Sequence, residues 1–155
     1  EMAISRGIPT AVDPKKRNFH SFKNVSLFKP NFKEFTEGVG IQLDKNDFAA
    51  IKNAADSFRQ KQNIKLLFIT LSELGVFIGN GAEEKHYPAL IRDISDVSGA
   101  GDTVISVASL AMAASLDQKT IAFMSNLAGG LVCGKTGVVP VNKNQLINEM
   151  KEQNI

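Results

Sequence analysis

A glycine-rich turn followed by an aspartate is the segment of this sequence with the clearest chemical potential. Residues Gly99 to Asp102 run directly into an apolar stretch that begins at Thr103. Glycines let a backbone approach a ligand closely, and the first turn of a helix offers free N–H groups at the positive end of the helix dipole. We therefore expect an anion such as phosphate to bind here. In that turn, the ionised Asp102 carboxylate can accept a proton from an attacking hydroxyl.

Taken alone, each candidate segment also has an ordinary structural interpretation. The aspartate of the glycine turn can simply favour a helix N-terminus electrostatically. Asn31 can be a helix cap and Glu34 a solvated charge, while residues 70–75 can be no more than a tight turn. Asn126 can be a polar position on an amphipathic helix. Residue types alone leave both interpretations open.

The elements that must position these residues are typical of an α/β fold. Apolar runs at residues 10–12, 25–28 and 66–70 predict strands, and the last is apolar enough to be covered on both faces. Asp44 is predicted to cap a helix that would lie against the sheet. The apolar residues of that helix recur at three- and four-residue spacing: Phe48, Ile51, Ala55 and Phe58.

Two hairpins are predicted after the third strand. Residues 76–78 would return antiparallel to residues 66–70, and the Gly79-Asn80-Gly81 turn would lead to an edge strand at residues 85–88. Proline is tolerated in such an edge strand because its missing N–H group faces solvent.

Three helices are predicted in the C-terminal part. The first, from Thr103, has scarcely any polar face and is expected to be buried nearly all round. Ser115 and Gln118 have the spacing of a capping box for the second, which Gly134 to Gly137 would end. Residues 138–141 predict a short last strand, and Asn142 is predicted to cap the terminal helix.

Composition narrows the class of protein. The 155 residues are 43% hydrophobic, enough for one ordinary core, so a single domain over residues 1–155 is predicted. A net charge of +2 argues against nucleic-acid binding, and no apolar run approaches the roughly 20 residues of a membrane span. Cys133 cannot form an intramolecular disulfide, and His20 and His86 have no partner at metal-ligand spacing. A soluble, cytoplasmic protein is predicted.

The first residues are typical of the end of a helix. Arg6 and Gly7 suit a helix C-terminus, where a cation faces the dipole and glycine takes the left-handed cap. We therefore expect the chain to begin within a fold. The alternative is that Met2 is a genuine start and the short helix is complete.

Residues 96–103, with the sequence D-V-S-G-A-G-D-T, resemble the D-T-T-G-A-G-D signature of the ribokinase/phosphofructokinase-B-like sugar kinases. The resemblance implies that Gly99, Ala100 and Gly101 form the anion hole for the transferred phosphoryl group and that Asp102 is the general base. Residues 30–34 resemble the family motif P-N-x-x-E. By this resemblance Asn31 and Glu34 organise water-bound Mg²⁺ and the nucleotide phosphates.

Residues 70–75, T-L-S-E-L-G, resemble the family's nucleotide-binding hairpin T-x-G-x-x-G, with Ser72 in place of the first glycine. They are more similar to T-x-S-E-x-G of the heptose-7-phosphate kinase branch, the kinase part of bifunctional ADP-heptose synthases. The resemblance implies that Thr70, Ser72 and Gly75 bind the nucleotide. It also places Asn126 near the adenine pocket.

Other segments resemble the same branch. Residues 12–15 are similar to its V-D-P-K segment, and residues 134–137 to its late G-K-T-G loop. Asp96 and the backbone around Lys135 and Gly137 resemble the family's monovalent-cation loop, which makes K⁺ a candidate ion. Lys15 belongs to a short basic run that is usually a solvated loop, with phosphate binding as the alternative.

The resemblance implies a ribokinase-like three-layer α/β/α fold with a largely parallel central sheet, of which this chain would be the C-terminal part without the N-terminal half. It implies ATP and Mg²⁺ as cofactors and phosphoryl transfer to O1 of D-glycero-D-manno-heptose 7-phosphate, in ADP-heptose and lipopolysaccharide precursor synthesis. The alternatives are a kinase for ribose, fructose, a fructose phosphate or a nucleoside, and a non-catalytic nucleotide-binding module. A homo-oligomer, or association with the missing half, is also expected.

Overall fold

The computed structural model describes residues 2–90 and 94–153. The chain forms two compact units, residues 1–87 and 88–155, and each is described by itself. The prediction of a single domain stays a prediction. The first unit contains the following elements in chain order: α1 Met2–Ser5, β1 Ala11–Val12, a 3₁₀ helix Lys16–Ser21, β2 Leu27–Phe28, α2 Phe32–Val39, α3 Phe48–Gln62, β3 Leu66–Thr70, a second 3₁₀ helix Ser72–Leu74, β4 Val76–Gly79 and β5 Glu84–Tyr87.

The strands form one mixed sheet in the order β1-β2-β3-β4-β5. The first three strands are parallel, and β3, β4 and β5 follow as antiparallel neighbours through two hairpins. Both hairpins and the edge strand are therefore confirmed, and β3 has the predicted bounds. Four of the five β3 residues are buried, which fits its continuous apolar sequence. The carboxyl ends of β1, β2 and β3 consequently lie at the same edge of the sheet.

An aromatic cluster fills the core of the first unit. Phe19, Phe28, Phe35 and Phe58 are all buried, and their rings meet at centroid distances between 4.9 and 6.2 Å. The predicted helix is present as α3, but the prediction that Asp44 caps it was wrong.

Asp47 is the actual cap of α3, because its side chain accepts the N–H of Ala50 at 2.9 Å. Asp44 instead accepts the Asn46 N–H within the preceding turn. Both are aspartates just before an apolar stretch, so local sequence did not discriminate between them. The predicted helix end near the N-terminus is confirmed by Gly7, whose φ is 66°. Glu1, which begins that predicted turn, lies outside the described residues.

The second unit contains three helices: α4 Ala100–Ala113, α5 Gln118–Cys133 and α6 Lys143–Glu152. Helix α4 packs along α5, and a Cβ on Gly129 would lie only 2.8 Å from Cγ2 of Val104. This glycine therefore permits a close helix approach. Val107 of α4, Leu127 and Leu131 of α5 and Leu146 of α6 form the core of this unit.

Three predictions for this part of the chain were wrong. Helix α4 is not buried all round, since Leu110 is 72% exposed; packing against α5 covers one stripe of a helix and not its whole surface. The cap of α5 is Asp117, which accepts the Thr120 N–H at 3.0 Å, whereas Ser115 has a left-handed φ of 58°. Residues 138–141 form no strand. Asn142 caps α6 as predicted.

Within residues 2–90 and 94–153, no helix combines the length and the apolar composition required to cross a bilayer.

Candidate active site

The glycine turn is built at the start of α4 as the sequence predicted. Gly99 is the N-cap residue, with a left-handed φ of 78°, and Ala100, Gly101 and Asp102 form the first helical turn. Helix geometry leaves the N–H groups of that turn without intrahelical acceptors. Gly101 and Asp102 are exposed, so the N–H groups of these two residues and the Asp102 carboxylate are open to a ligand, whereas the Ala100 N–H donates to the carbonyl of Val97 at 3.2 Å. The turn can therefore bind an anion beside a carboxylate base.

Glycine is required at position 99 for two physical reasons. Other residues rarely adopt its positive φ, and a Cβ there would lie 3.0 Å from Cγ1 of Val138. The close contact shows that the segment after the 134–137 loop lies directly against the turn.

Asp96 ties this loop to the turn. Its Oδ1 accepts the Ser98 N–H at 2.9 Å and its Oδ2 accepts the Gly137 N–H at 3.0 Å. These backbone donors, Ser98 first, stabilise the ionised form and lower the pKa of Asp96. The backbone N–H groups of Ser95 and Asp96 also donate to the carbonyl of Cys133, at 2.8 and 3.1 Å. Asp96 and the loop of residues 134–137 are thus brought together in the second unit, and the binding of K⁺ there stays a prediction.

Cys133 is half-buried, and this burial together with the negative charge of Asp96 raises the pKa of its thiol. The thiol is therefore mostly protonated, as suits a packed residue.

Asn126 lies on α5, where its Nδ2 donates to the carbonyl of Pro88 at 2.8 Å. This bond anchors the start of the second unit to α5. It uses one of the two N–H donors of the Asn126 side-chain amide. The suggested position near adenine stays a prediction.

Asn31 and Glu34 form a reciprocal capping box at the start of α2. Asn31 Oδ1 accepts the Glu34 N–H at 2.8 Å, and Glu34 Oε2 accepts the Asn31 N–H at 2.9 Å. The structural role considered for Asn31 is therefore real, but it does not exclude ligand binding, because each oxygen has a second lone pair. The capping box fixes the Glu34 carboxylate in one orientation.

A chain of ion pairs that sequence reasoning missed converges on this carboxylate. Lys29, whose side chain is 3% exposed, lies with its Nζ 3.1 Å from Oδ1 of Asp13. Lys15 Nζ lies 3.3 Å from Oδ2 of Asp13 and 3.1 Å from Oε1 of Glu34. Burial alone would lower the pKa of Lys15, but its bonds to Glu34 and Asp13 raise it overall. The adjacent parallel strands that precede Asp13 and Lys29 were the signal that could have predicted this contact.

The hairpin predicted to bind the nucleotide begins beside Asn31. A parallel bridge pairs Asn31 with Thr70, and the Thr70 N–H donates to the carbonyl of Pro30 at 3.1 Å. In the following turn Ser72 has a left-handed φ of 55° and Gly75 a φ of 92°. Ser72 therefore has the backbone conformation that glycine adopts most easily, which explains why glycine is the usual family residue there.

His86 braces this turn from the neighbouring strand β5. Its Nε2 lies 2.5 Å from the carbonyl of Leu74, and its ring stacks on Phe48 at a centroid distance of 4.1 Å. The other histidine, His20, is likewise used structurally, with Nε2 2.8 Å from the carbonyl of Gly38. Neither role could be predicted from spacing, because both depend on contacts between distant segments.

The oxygen donors around Glu34 fit Mg²⁺. Carboxylate and amide oxygens are its preferred protein ligands, and the ion keeps much of its water shell. Among the described residues, no group of three or more His, Cys, Asp and Glu side chains could enclose a metal ion. A cation bound at Glu34 and Asn31 would therefore rely on water and on a phosphate ligand.

The predicted site residues thus form two groups. Asn31, Glu34 and Thr70 lie together at the carboxyl edge of the parallel strands, next to the turn with Ser72 and Gly75. Asp96 and the turn from Gly99 to Asp102 lie together in the second unit.

A surface depression of about 280 Å³ lies elsewhere in the first unit, at the end of α2. Its lining includes Thr36, Ile41 and Leu43 and none of the predicted site residues. This depression therefore does not coincide with the candidate site, which is identified by the positions of the chemically competent groups.

Comparison with known proteins is consistent with this geometry. The pfkB family carbohydrate kinases match residues 1–144. The bifunctional protein HldE of Magnetococcus marinus is 36% identical over 145 residues, which are 93% of this chain and 29% of that protein.

Two solved structures support the fold. Escherichia coli phosphofructokinase-2 in complex with potassium has a TM-score of 0.86 at 18% identity, over 99% of this chain and 50% of its own. Arabidopsis thaliana ribokinase complexed with ribose and ATP has a TM-score of 0.79 at 18% identity, over 95% of this chain and 49% of its own. The ribokinase-like α/β fold is therefore confirmed, and the chain spans half or less of these relatives. By its match over residues 1–144, the chain belongs to the pfkB family of carbohydrate kinases.

Proposed function

We propose that this chain is the nucleotide-binding and base-bearing part of an ATP-dependent kinase that phosphorylates a hydroxyl of a sugar or sugar phosphate. The observation that carries the proposal is the start of α4. There, the left-handed Gly99 begins a helix whose first turn holds the exposed Gly101 and Asp102, so backbone N–H groups without intrahelical acceptors lie beside the Asp102 carboxylate. Family membership supports the same chemistry.

In the proposed reaction, the sugar hydroxyl oxygen attacks the γ-phosphorus of ATP. The bond from that phosphorus to the ADP oxygen breaks, and the hydroxyl proton passes to Asp102. The N–H groups of Gly99, Ala100 and Gly101 stabilise the charge on the transferred phosphoryl oxygens, and the Ala100 N–H must first leave the carbonyl of Val97, to which it donates at 3.2 Å. The donors of Gly99 and Gly101 are fixed before the reaction by the helix start, so they need little reorganisation.

Thr70, Ser72, Gly75 and Asn126 are proposed to bind the nucleotide, and Asn31 and Glu34 to hold water-bound Mg²⁺. The Mg²⁺ ion, when bound, neutralises charge on the phosphate oxygens. The K⁺ proposal rests on Asp96 and the adjoining loop, and the potassium complex of the related phosphofructokinase-2 supports it.

The proposed acceptor is O1 of D-glycero-D-manno-heptose 7-phosphate, in ADP-heptose and lipopolysaccharide precursor synthesis. The T-L-S-E-L-G and V-D-P-K segments support this choice, as does the similarity to HldE. A panel of heptose 7-phosphate, ribose, fructose, fructose 6-phosphate and a nucleoside, each offered with MgATP to the full-length protein, tests it. A strong preference for ribose would end the heptose proposal.

Asp102→Asn in the full-length protein tests the mechanism. Loss of the general base is expected to lower kcat by about a hundredfold to ten-thousandfold while nucleotide binding persists. Asp44→Asn is the matched control, because Asp44 lies in an exposed turn that contains none of the proposed site residues. Unchanged turnover in Asp102→Asn would refute the mechanism and favour a non-catalytic nucleotide-binding module.

Association into a homo-oligomer, or with a half of the kind that the longer relatives have outside the matched region, is the corresponding proposal for partners. Light scattering of this chain alone and mixed with that half measures it, and a strictly monomeric species in both samples would contradict it.

A further inference from the structure

The ammonium of Lys15 lies between two carboxylates at the carboxyl edge of the parallel strands. It is 3.3 Å from Asp13 Oδ2 and 3.1 Å from Glu34 Oε1. Both carboxylates are fixed from their other sides, Asp13 by the buried Lys29 and Glu34 by the capping box with Asn31. The space between these two oxygens is therefore suited to a cation, and the Lys15 ammonium occupies it.

The charges of this cluster balance. Two carboxylates, Asp13 and Glu34, face two ammonium groups, Lys15 and Lys29. Lys29 is almost completely buried, but the Lys15 side chain is 60% exposed and can leave along its flexible stem. Exposed ion pairs contribute little to stability, so displacement of Lys15 has a low energetic cost.

We propose that Lys15 is an internal counter-ion of the metal end of the site, which a divalent cation must displace to reach the Glu34 carboxylate. This rests on the proposed function only in that Glu34 is taken as a metal-binding residue. Lys15 keeps Glu34 oriented before the cation arrives and weakens binding of a cation without nucleotide. The divalent cation consequently binds together with the nucleotide phosphates. Their negative charge helps the cation to replace the Lys15 ammonium at the Glu34 carboxylate.

Direct Mn²⁺ titration of the full-length protein without nucleotide, followed by the electron paramagnetic resonance of free Mn²⁺, tests the proposal. Lys15→Met keeps the aliphatic stem and removes the charge. It is expected to bind Mn²⁺ on the order of tenfold more tightly, as one fewer positive charge a few ångströms from a divalent ion implies. Adding Glu34→Gln to Lys15→Met should abolish the gain.

Lys16→Met is the matched control. Lys16 is the next residue, its side chain is 81% exposed, and it pairs with a different carboxylate, Glu37, at 3.3 Å. Lys16→Met removes the same net charge but should change Mn²⁺ affinity by less than about twofold, since the Lys16 ammonium is exposed to screening by solvent and salt and does not occupy the Glu34 carboxylate. Equal affinities in Lys15→Met and Lys16→Met, or weaker binding in Lys15→Met, would overturn the proposal.

Lys15→Gln is a second variant should the methionine variant fold poorly, and the same tightening is expected from it. The result is separable from that of Asp102→Asn. Normal turnover in Asp102→Asn would refute the kinase mechanism and leave tighter Mn²⁺ binding in Lys15→Met intact. An unchanged Mn²⁺ affinity in Lys15→Met together with an inactive Asp102→Asn variant would refute only the proposal that Lys15 is a counter-ion.

Discussion

Replacing Gly99 by alanine perturbs the anion-binding turn at the position where backbone conformation matters most. An L-residue at a φ of 78° costs roughly 1–2 kcal/mol. The new Cβ would lie 3.0 Å from Cγ1 of Val138, but Val138 is 76% exposed and can rotate, so this contact adds a smaller cost. The lower entropy of the unfolded alanine chain offsets about 0.4–1 kcal/mol. A net loss of about 1 kcal/mol is therefore expected.

The assay has a stability part and a kinetic part. Urea unfolding gives the loss of free energy, with Gly137→Ala as control, because Gly137 has a φ of 79° and a Cβ added to it would meet no atom within 4 Å. Both variants should lose stability through the backbone, and the difference between them isolates Val138. Relief of strain at residue 99 should also rotate the N–H groups away from the phosphoryl position and lower kcat at least about tenfold. Full activity in a destabilised Gly99→Ala protein would show that these N–H groups do not act in the reaction.

Two further predictions concern stability. Ser72→Gly and its control Ser115→Gly should each gain roughly 0.5–1 kcal/mol in urea unfolding, because both serines have a left-handed φ, of 55° and 58°; a loss of stability in both would contradict this reasoning. Burial raises the pKa of Asp56, and a hydrogen bond with Glu84 and repulsion from its charge raise it further. The contribution of Asp56 to folding stability is therefore complete below the pKa of the unfolded state and is lost as the pH rises through the pKa of the folded state. Asp56→Asn should therefore gain stability relative to the unmodified chain as pH rises above about 4. Asp44→Asn should show the opposite trend, losing its relative stability at neutral pH, because Asn46 lowers the pKa of Asp44; matching pH profiles for the two variants would exclude this assignment.

Predictions from the sequence succeeded where the signal was local. The apolar run of β3, the two hairpins and the Asn142 cap each depend on residues close together in the chain, and all are confirmed. Cap positions failed where two candidates lay within a few residues, as with Asp44 and Asp47. The burial of α4 was overestimated because the apolar composition of a helix does not determine how many neighbouring elements pack against it.

The candidate site likewise combines local features, which the sequence predicts, with contacts between distant segments, which it does not. The turn from Gly99 to Asp102 is a local structure, since a glycine cap followed by a helix start places free N–H groups and a carboxylate together regardless of the rest of the chain. The ion pair between Lys15 and Glu34 joins residues 19 positions apart and exists only because β1 and β2 are parallel neighbours.

The sequence by itself therefore determined the family, the strands of the first unit and the chemical groups, because motifs and periodicity depend on neighbours along the chain. Only the tertiary structure decided which charges meet at Glu34 and that His86 braces the turn after Thr70. These contacts depend on distances between elements, and such distances follow from strand pairing and core packing, which no single segment encodes.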